Sequence, residues 1–262
     1  MSIILKIDKD NSCDEEAPRI IFLCADPLYH GYGHISRCGT LQKYLQDTGR
    51  TSQLITGNLS FTAPAEIDSG SYLIILDARD IPFPEWAFQK NITRIAFDNR
   101  GPGRSQADYV FDLLPHFAMN DSEFSNSLRN IILPYFYKMH KNKVSKSSLQ
   151  LVRQTDASRT RRKIYSSAMH PYRMSSISVM QKIQAVRQVQ LYFGQTLFEA
   201  LFLGADVKLY SISEIHYKLA QDFFRRWRGL PTPQLYFDGS GAARMAQAIM
   251  DISTGAGLQS GF

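Results

Sequence analysis

A chain of 262 residues with 44% apolar and 12% aromatic side chains can bury a sizeable core, and its 21% charged content excludes wholesale disorder. The formal charge of +6 is concentrated: residues 138–163 hold nine Lys or Arg against one Asp, leaving −2 on the remainder, which speaks against a nucleic-acid-binding protein. Cys13, Cys24 and Cys38 are odd in number and lack C-x-x-C spacing, so neither a disulfide framework nor a zinc site is expected. There is no apolar run of about 18 residues and no signal-peptide core, and the expectation is a soluble, cytoplasmic protein with no transmembrane segment.

Taken in chain order, the first half alternates apolar runs with helical patterns. Strands are expected at 19–26, 71–80, 92–99, 107–115 and 130–134, with 52–58 as a further candidate. Runs that are apolar on both faces suit a parallel sheet covered by helices. Between the first two, Ile35, Cys38, Leu41 and Leu45 recur at helical spacing, and Gly49 stands where a helix C-terminal glycine belongs. The basic, Ser- and Thr-rich stretch that follows reads as a linker or solvated helix; it has no interleaved aromatic platform for nucleic acid. Beyond it, strands are expected at 163–169, 189–194, 206–211 and 234–240, with helices at 195–204 and 213–229. In the second helix Ile215, Leu219, Phe223 and Trp227 form one stripe, and Arg225, Arg226 and Arg228 complement the dipole of its last turn. The tail from Ser253 is expected to be mobile. The organisation is therefore two α/β domains: 19–137, a basic linker at 138–162, and 163–252.

The loop "ADPLYHGYGHISRC" (25–38) carries the chemistry. Gly31, Gly33 and Ser36 approach the G-x-G-x-x-G pattern, but the next strand has no terminal acid and no P-loop occurs, so NAD and ATP are not expected. Glycines let backbone approach a ligand, and a helix start attracts anions. His34 in that first turn feels the positive end of the dipole, which favours the neutral imidazole a general base needs. The bland alternative is that His34 and Arg37 merely cap and solvate the helix. Asp26, Asp77 and Asp98 each end an apolar strand, and any of them is a candidate partner for His34. Tyr29 and Tyr32 suit either a sugar ring or a core edge.

The segment 25–49 resembles the start of the nucleotide-sugar hydrolases of the pseudaminic acid pathway and the related spore-coat polysaccharide proteins. Asp26, Gly31, Gly33, His34, Arg37, Cys38, Leu41 and Gly49 match a strand ending in Ala-Asp followed by Gly-x-Gly-His-x-x-Arg-Cys. A second block, 191–220, resembles that family's Gly-Gly-x-Thr-x-x-Glu segment through Gly194, Thr196, Glu199 and Gly204. The resemblance implies a GT-B-like fold, two Rossmann-like domains with parallel sheets facing a cleft, akin to the enzyme that adds N-acetylglucosamine in peptidoglycan synthesis. It implies hydrolysis of a UDP-linked 2,4-diacetamido-2,4,6-trideoxy sugar for surface-glycan synthesis, without metal or cofactor. His34, helped by Asp26, would be the base; Gly31, Gly33 and Arg37, with Gly194, Gln195 and Thr196, would meet the substrate, and Glu199 would accept from the ribose hydroxyls. A glycosyltransferase using a UDP-sugar donor, or a non-catalytic nucleotide-sugar-binding or partner protein, are the rival expectations.

The chain departs from that pattern in several places. Asp-Ser-Tyr becomes Asp77-Ala78-Arg79, Gly-Gly becomes Gly194-Gln195, and Ile215-His216 stands where the family has Asn-Gln or His-Gln. The segment 166–188 is shorter than the family's, with His170 and Arg173 as candidate phosphate ligands.

Overall fold

A computed structural model describes residues 17–26, 33–57, 70–135, 149–151, 176–186, 188–211 and 213–256. The chain forms two compact units, one running to Leu113 and resuming at Ala242, the other spanning Leu114–Gly241.

The first unit is built on a parallel sheet of β1 (Arg19–Ala25), β2 (Ser52–Gly57), β3 (Tyr72–Asp77), β4 (Ile92–Phe97) and β5 (Tyr109–Phe111), in the order β2-β1-β3-β4-β5. β1 and β3 are central, and from Ile20 to Ala25 and Tyr72 to Asp77 every side chain is buried. That is why both read as continuous apolar runs rather than alternating ones. Helix α1 (Gly33–Asp47) joins β1 to β2 and buries Cys38, Leu41 and Leu45. It stops at Gly49, whose φ of +80° closes the last turn, Arg50 N–H bonding the Leu45 carbonyl. β1 connects to β2 on one side, whereas β3 connects to β4 on the opposite side, so the direction of winding reverses between β1 and β3. In doubly wound sheets this reversal opens a crevice at the carboxyl ends of those two strands. A short helix α2 (Pro102–Gln106) precedes β5.

In the second unit, β6 (Leu149–Leu151), β7 (Gln188–Tyr192) and β8 (Asp206–Tyr210) form a parallel sheet in the order β6-β8-β7. Helix α3 (Asp121–Arg129) is started by a capping box between Asn120 and Glu123, and α4 (Ser176–Gln184) precedes β7. Helix α5 (Gln195–Phe202) crosses from β7 to β8, and α6 (Glu214–Gly229) starts on the N-cap Ser213. The core is aromatic: Phe198 and Phe223 meet edge-on at 5.5 Å, and Trp227 stacks on Phe223 at 5.3 Å. Such pairs add about 0.5–1.5 kcal/mol each beyond their buried area. Leu219, Phe223 and Trp227 of the expected stripe are buried here, whereas Ile215 is exposed. Helix α7 (Pro233–Tyr236) closes this unit, and α8 (Gly241–Ser253) carries the chain back to the first.

Several expected strands differ. Residues 131–134 form neither helix nor strand and pair with no strand among the described residues; Ile131, Ile132 and Leu133 are nonetheless buried, Ile131 and Leu133 in the core of the second unit. The expected strand 234–240 is instead α7 and a loop, because Pro233 occupies the first helical turn, where its missing N–H costs nothing. β6 lies inside the stretch read as a linker, the rest of which falls outside the described residues, as do the expected strand at 163–169 and the end of the tail. The two units divide at Leu114, since α3 places Phe124 and Leu128 in the second core rather than in the first. Among the described residues no helix is long and apolar enough to cross a membrane.

Candidate active site

The candidate site lies at the carboxyl ends of β1 and β3, where the strand order reverses. α1 places His34, Arg37 and Cys38 at i, i+3 and i+4, so one helical face presents all three to the sheet. Asp77, the last residue of β3 and paired in register with Cys24, is fully buried against that face. His34 Nδ1 lies 2.6 Å from Asp77 Oδ1. Arg37 donates through Nε to Asp77 Oδ2 at 2.5 Å and through Nη2 to Oδ1, and the Cys38 thiol adds a 3.3 Å bond to Oδ2. The third guanidinium nitrogen, Nη1, donates to Asp98 Oδ2 at 2.5 Å. Asp98 follows β4 in the left-handed region (φ +49°), and its Oδ1 accepts the Leu113 N–H at 2.7 Å.

Charge in this cluster is fixed by its members. Burial alone would raise the Asp77 carboxyl, but Arg37 and His34, through charge and hydrogen bonds, hold it well below the usual carboxylate range. Burial alone would lower Arg37; Asp77 and Asp98 outweigh it and hold the guanidinium above its ordinary value. Asp77 is therefore an anion without a proton to give, and His34 Nδ1 must donate to it. With its proton on Nδ1, the neutral form of the imidazole carries its lone pair on Nε2. Arg37 Nη2 stands 3.3 Å from Nδ1, so two donors converge on the single oxygen Oδ1. The imidazole is 13% exposed, enough to meet a small reactant. An imidazole oriented by a buried carboxylate is the arrangement that takes a proton from water or an alcohol.

The thiols do not share this chemistry. Burial pushes both Cys24 and Cys38 up, Cys38 well above the ordinary thiol range, and Asp77 adds to the effect. Among the described residues no cluster of three or more His, Cys, Asp or Glu is arranged to hold a metal ion.

Loops at the same end of the sheet are tied together by Asn99, fully buried just after β4. Its Nδ2 donates to the Ala78 and Ile81 carbonyls, both at 2.8 Å, and its Oδ1 accepts the Gly101 N–H. At Gly101 a Cβ would lie 2.7 Å from Asp80 Cα, so the contact between the two loops requires glycine. Arg79 sits in the first of these loops, half-buried, and makes no hydrogen bond or ion pair among the described residues. Arg100 and Arg104, in contrast, both reach Asp112.

The sequence-derived residues separate accordingly. His34 and Asp77 are joined, and Asp26, just past β1, has its N–H on the Gly57 carbonyl. Arg37, expected to meet the substrate, is 2% exposed and occupied by two carboxylates. Gly33 opens α1, while Gly31, Tyr29, His30, Tyr32, His170 and Arg173 lie outside the described residues. In the second unit Gly194 caps α5 at the carboxyl end of β7, in extended backbone. The Gln195 side chain turns onto the 131–134 segment, Nε2 donating to the Ile132 carbonyl at 2.6 Å. Thr196 is half-buried beside it, and Glu199 is 5% exposed in the second turn of α5. His216 shares a 2.7 Å hydrogen bond with Ser213 Oγ and meets the Tyr192 ring edge-on at 5.8 Å. Asn99 was not singled out from sequence. No protein-family model, curated protein or solved structure matches this chain.

Proposed function

We propose that this protein is a nucleotide-sugar hydrolase of GT-B type, releasing UDP from a diacetamido-trideoxy hexose, with His34 as general base. The observation that carries the reading is the 2.6 Å contact between His34 Nδ1 and the buried Asp77, at the point of the sheet where doubly wound folds bind ligands. His34 Nε2 takes a proton from water as the water oxygen attacks the anomeric carbon. The bond to the UDP oxygen breaks with its electron pair, giving free sugar and UDP. A positioned base of this kind contributes about 10²–10⁴ in rate. The imidazolium formed is offset by Asp77, as in other carboxylate–histidine pairs. In this reading the second Rossmann-like unit holds the nucleotide at the carboxyl end of β7, where α5 begins at Gly194. Arg79, a half-buried cation with no partner among the described residues, is assigned to the diphosphate.

The burial of Glu199 and the use of Gln195 as an internal tether favour the second reading, a protein that retains the fold but no longer turns over a nucleotide sugar. The two are separated by thermal shift followed by turnover. Ligand at a hundredfold excess over Kd stabilises by about 2.7 kcal/mol, or roughly 5 °C or more for a chain of this size. A rise with UDP and UDP-sugars but not with CMP or GDP, together with UDP release in water, supports the hydrolase. UDP release only when an acceptor alcohol is added makes it a transferase. No shift with any nucleotide refutes both and leaves the non-catalytic reading.

A further inference from the structure

Asp98 joins the cluster through Arg37, and the cluster is built so that it decides how Asp77 is presented. Asp77 receives four donors on two oxygens, and on Oδ1 the imidazole and a guanidinium nitrogen only 3.3 Å away both donate. A guanidinium whose whole charge fell on Asp77 would weaken the imidazole's bond to the same oxygen. Part of that charge is taken by Asp98, which accepts from the third guanidinium nitrogen at 2.5 Å. Asp98 is in turn fixed twice: by the Leu113 N–H on its other oxygen, and by a left-handed backbone that few residue types adopt. We propose that Asp98, acting through Arg37, is a positioning residue that selects the Nδ1–H tautomer of His34. Arg37 is then an internal strut rather than a substrate ligand.

Asp98→Asn isolates this role. Asparagine tolerates the left-handed backbone, and its carbonyl still accepts the Leu113 N–H, so the loop keeps its shape while the anion is lost. Without the Asp98 anion the guanidinium charge falls on Asp77 alone, and the bond from His34 to Oδ1 weakens. The kinetic consequence rests on the reading of His34 as the base; the tautomer itself does not.

The test is ¹⁵N NMR of imidazole-labelled full-length protein, with the His34 signals identified by their loss in His34→Gln. Wild type is expected to show a pyrrole-type Nδ1 and a pyridine-type Nε2. In Asp98→Asn the ratio of Nδ1–H to Nε2–H tautomer should fall about tenfold or more, the scale of one charge-assisted hydrogen bond. Arg37→Lys, which keeps the charge but cannot reach both carboxylates, should give the same change. A folded Asp98→Asn protein with the wild-type His34 pattern overturns the proposal, and so does an unchanged pattern in Arg37→Lys if the asparagine variant fails to fold. If UDP-sugar hydrolysis is present, kcat should fall about 10²-fold at unchanged KM. An altered tautomer without any hydrolysis in wild type would leave this proposal standing and remove the hydrolase reading.

Discussion

Replacing Arg37 by methionine removes a buried cation and leaves Asp77 (0% exposed) and Asp98 (7% exposed) without it, in nearly the same side-chain volume. Removing one partner of a buried ion pair costs about 3–5 kcal/mol, since the remaining charge keeps its desolvation penalty. The size of the loss depends on pH with a sign that the structure sets. In wild type, burial is outweighed by Arg37 and His34 and the Asp77 carboxyl is depressed. Its stabilising contribution is therefore present above the unfolded value of about 3.9 and is lost only as pH falls through the lower folded value. In Arg37→Met burial dominates and raises the carboxyl, so the deficit is full at neutral pH and shrinks as pH falls and Asp77 takes up a proton. The gain on acidification is bounded at about 1.4 kcal/mol per pH unit for one proton. Each unit contains one of the two tryptophans, Trp86 and Trp227. Urea unfolding in a Trp227→Phe background then reports the first unit through Trp86. The expected result is a loss of about 3–5 kcal/mol near pH 7.5 that narrows near pH 5. A loss below about 1 kcal/mol, or one equal at both pH values, would refute the buried-charge account.

Asn99→Ala leaves the Ala78 and Ile81 carbonyls and the Gly101 N–H without their partner, and should cost roughly 3 kcal/mol while loosening the loop that carries Arg79. Denaturant midpoints and hydrogen exchange at 78–81 and 99–103 check it. Arg79→Ala should change stability by less than about 0.5 kcal/mol but raise KM for a UDP-sugar about tenfold with kcat little changed, measured by UDP release. Cys24 and Cys38, fully buried and with their thiols pushed up, should resist iodoacetamide at neutral pH until urea unfolds the first unit. Rapid labelling of the native protein, seen by mass spectrometry, would contradict their placement.

How far the sequence reached follows from the range of each interaction. β1, α1 and β3 were legible because burial on both strand faces and a 3.6-residue stripe leave local signatures, and Gly49 marked the helix end. His34 was legible as a candidate from its loop and helix position. Its partner was not: Asp26, Asp77 and Asp98 all end strands, and choosing among them needs the sheet order and the register that sets Asp77 beside Cys24. The enclosure of Arg37 was not legible either, although its spacing from His34 and Cys38 placed it on the buried face; an arginine is assumed exposed unless two carboxylates are known to enclose it. The apolar run at 131–134 carries no period that separates a strand from an unpaired buried segment. Two signals were present and unused: the capping box Asn120-Asp121-Ser122-Glu123 announces α3, and Thr232-Pro233 announces a helix start where a strand was expected.

His34, oriented by Asp77, is proposed to draw a proton from water attacking an anomeric carbon. The most direct measurement is turnover of the UDP-linked diacetamido-trideoxy hexose in H₂¹⁸O, comparing wild type with His34→Gln. The account predicts one ¹⁸O in the released sugar and none in UDP, with the rate falling about 10²–10⁴-fold in the variant. Label in the UDP phosphate, or an unchanged rate in a folded His34→Gln protein, would contradict it.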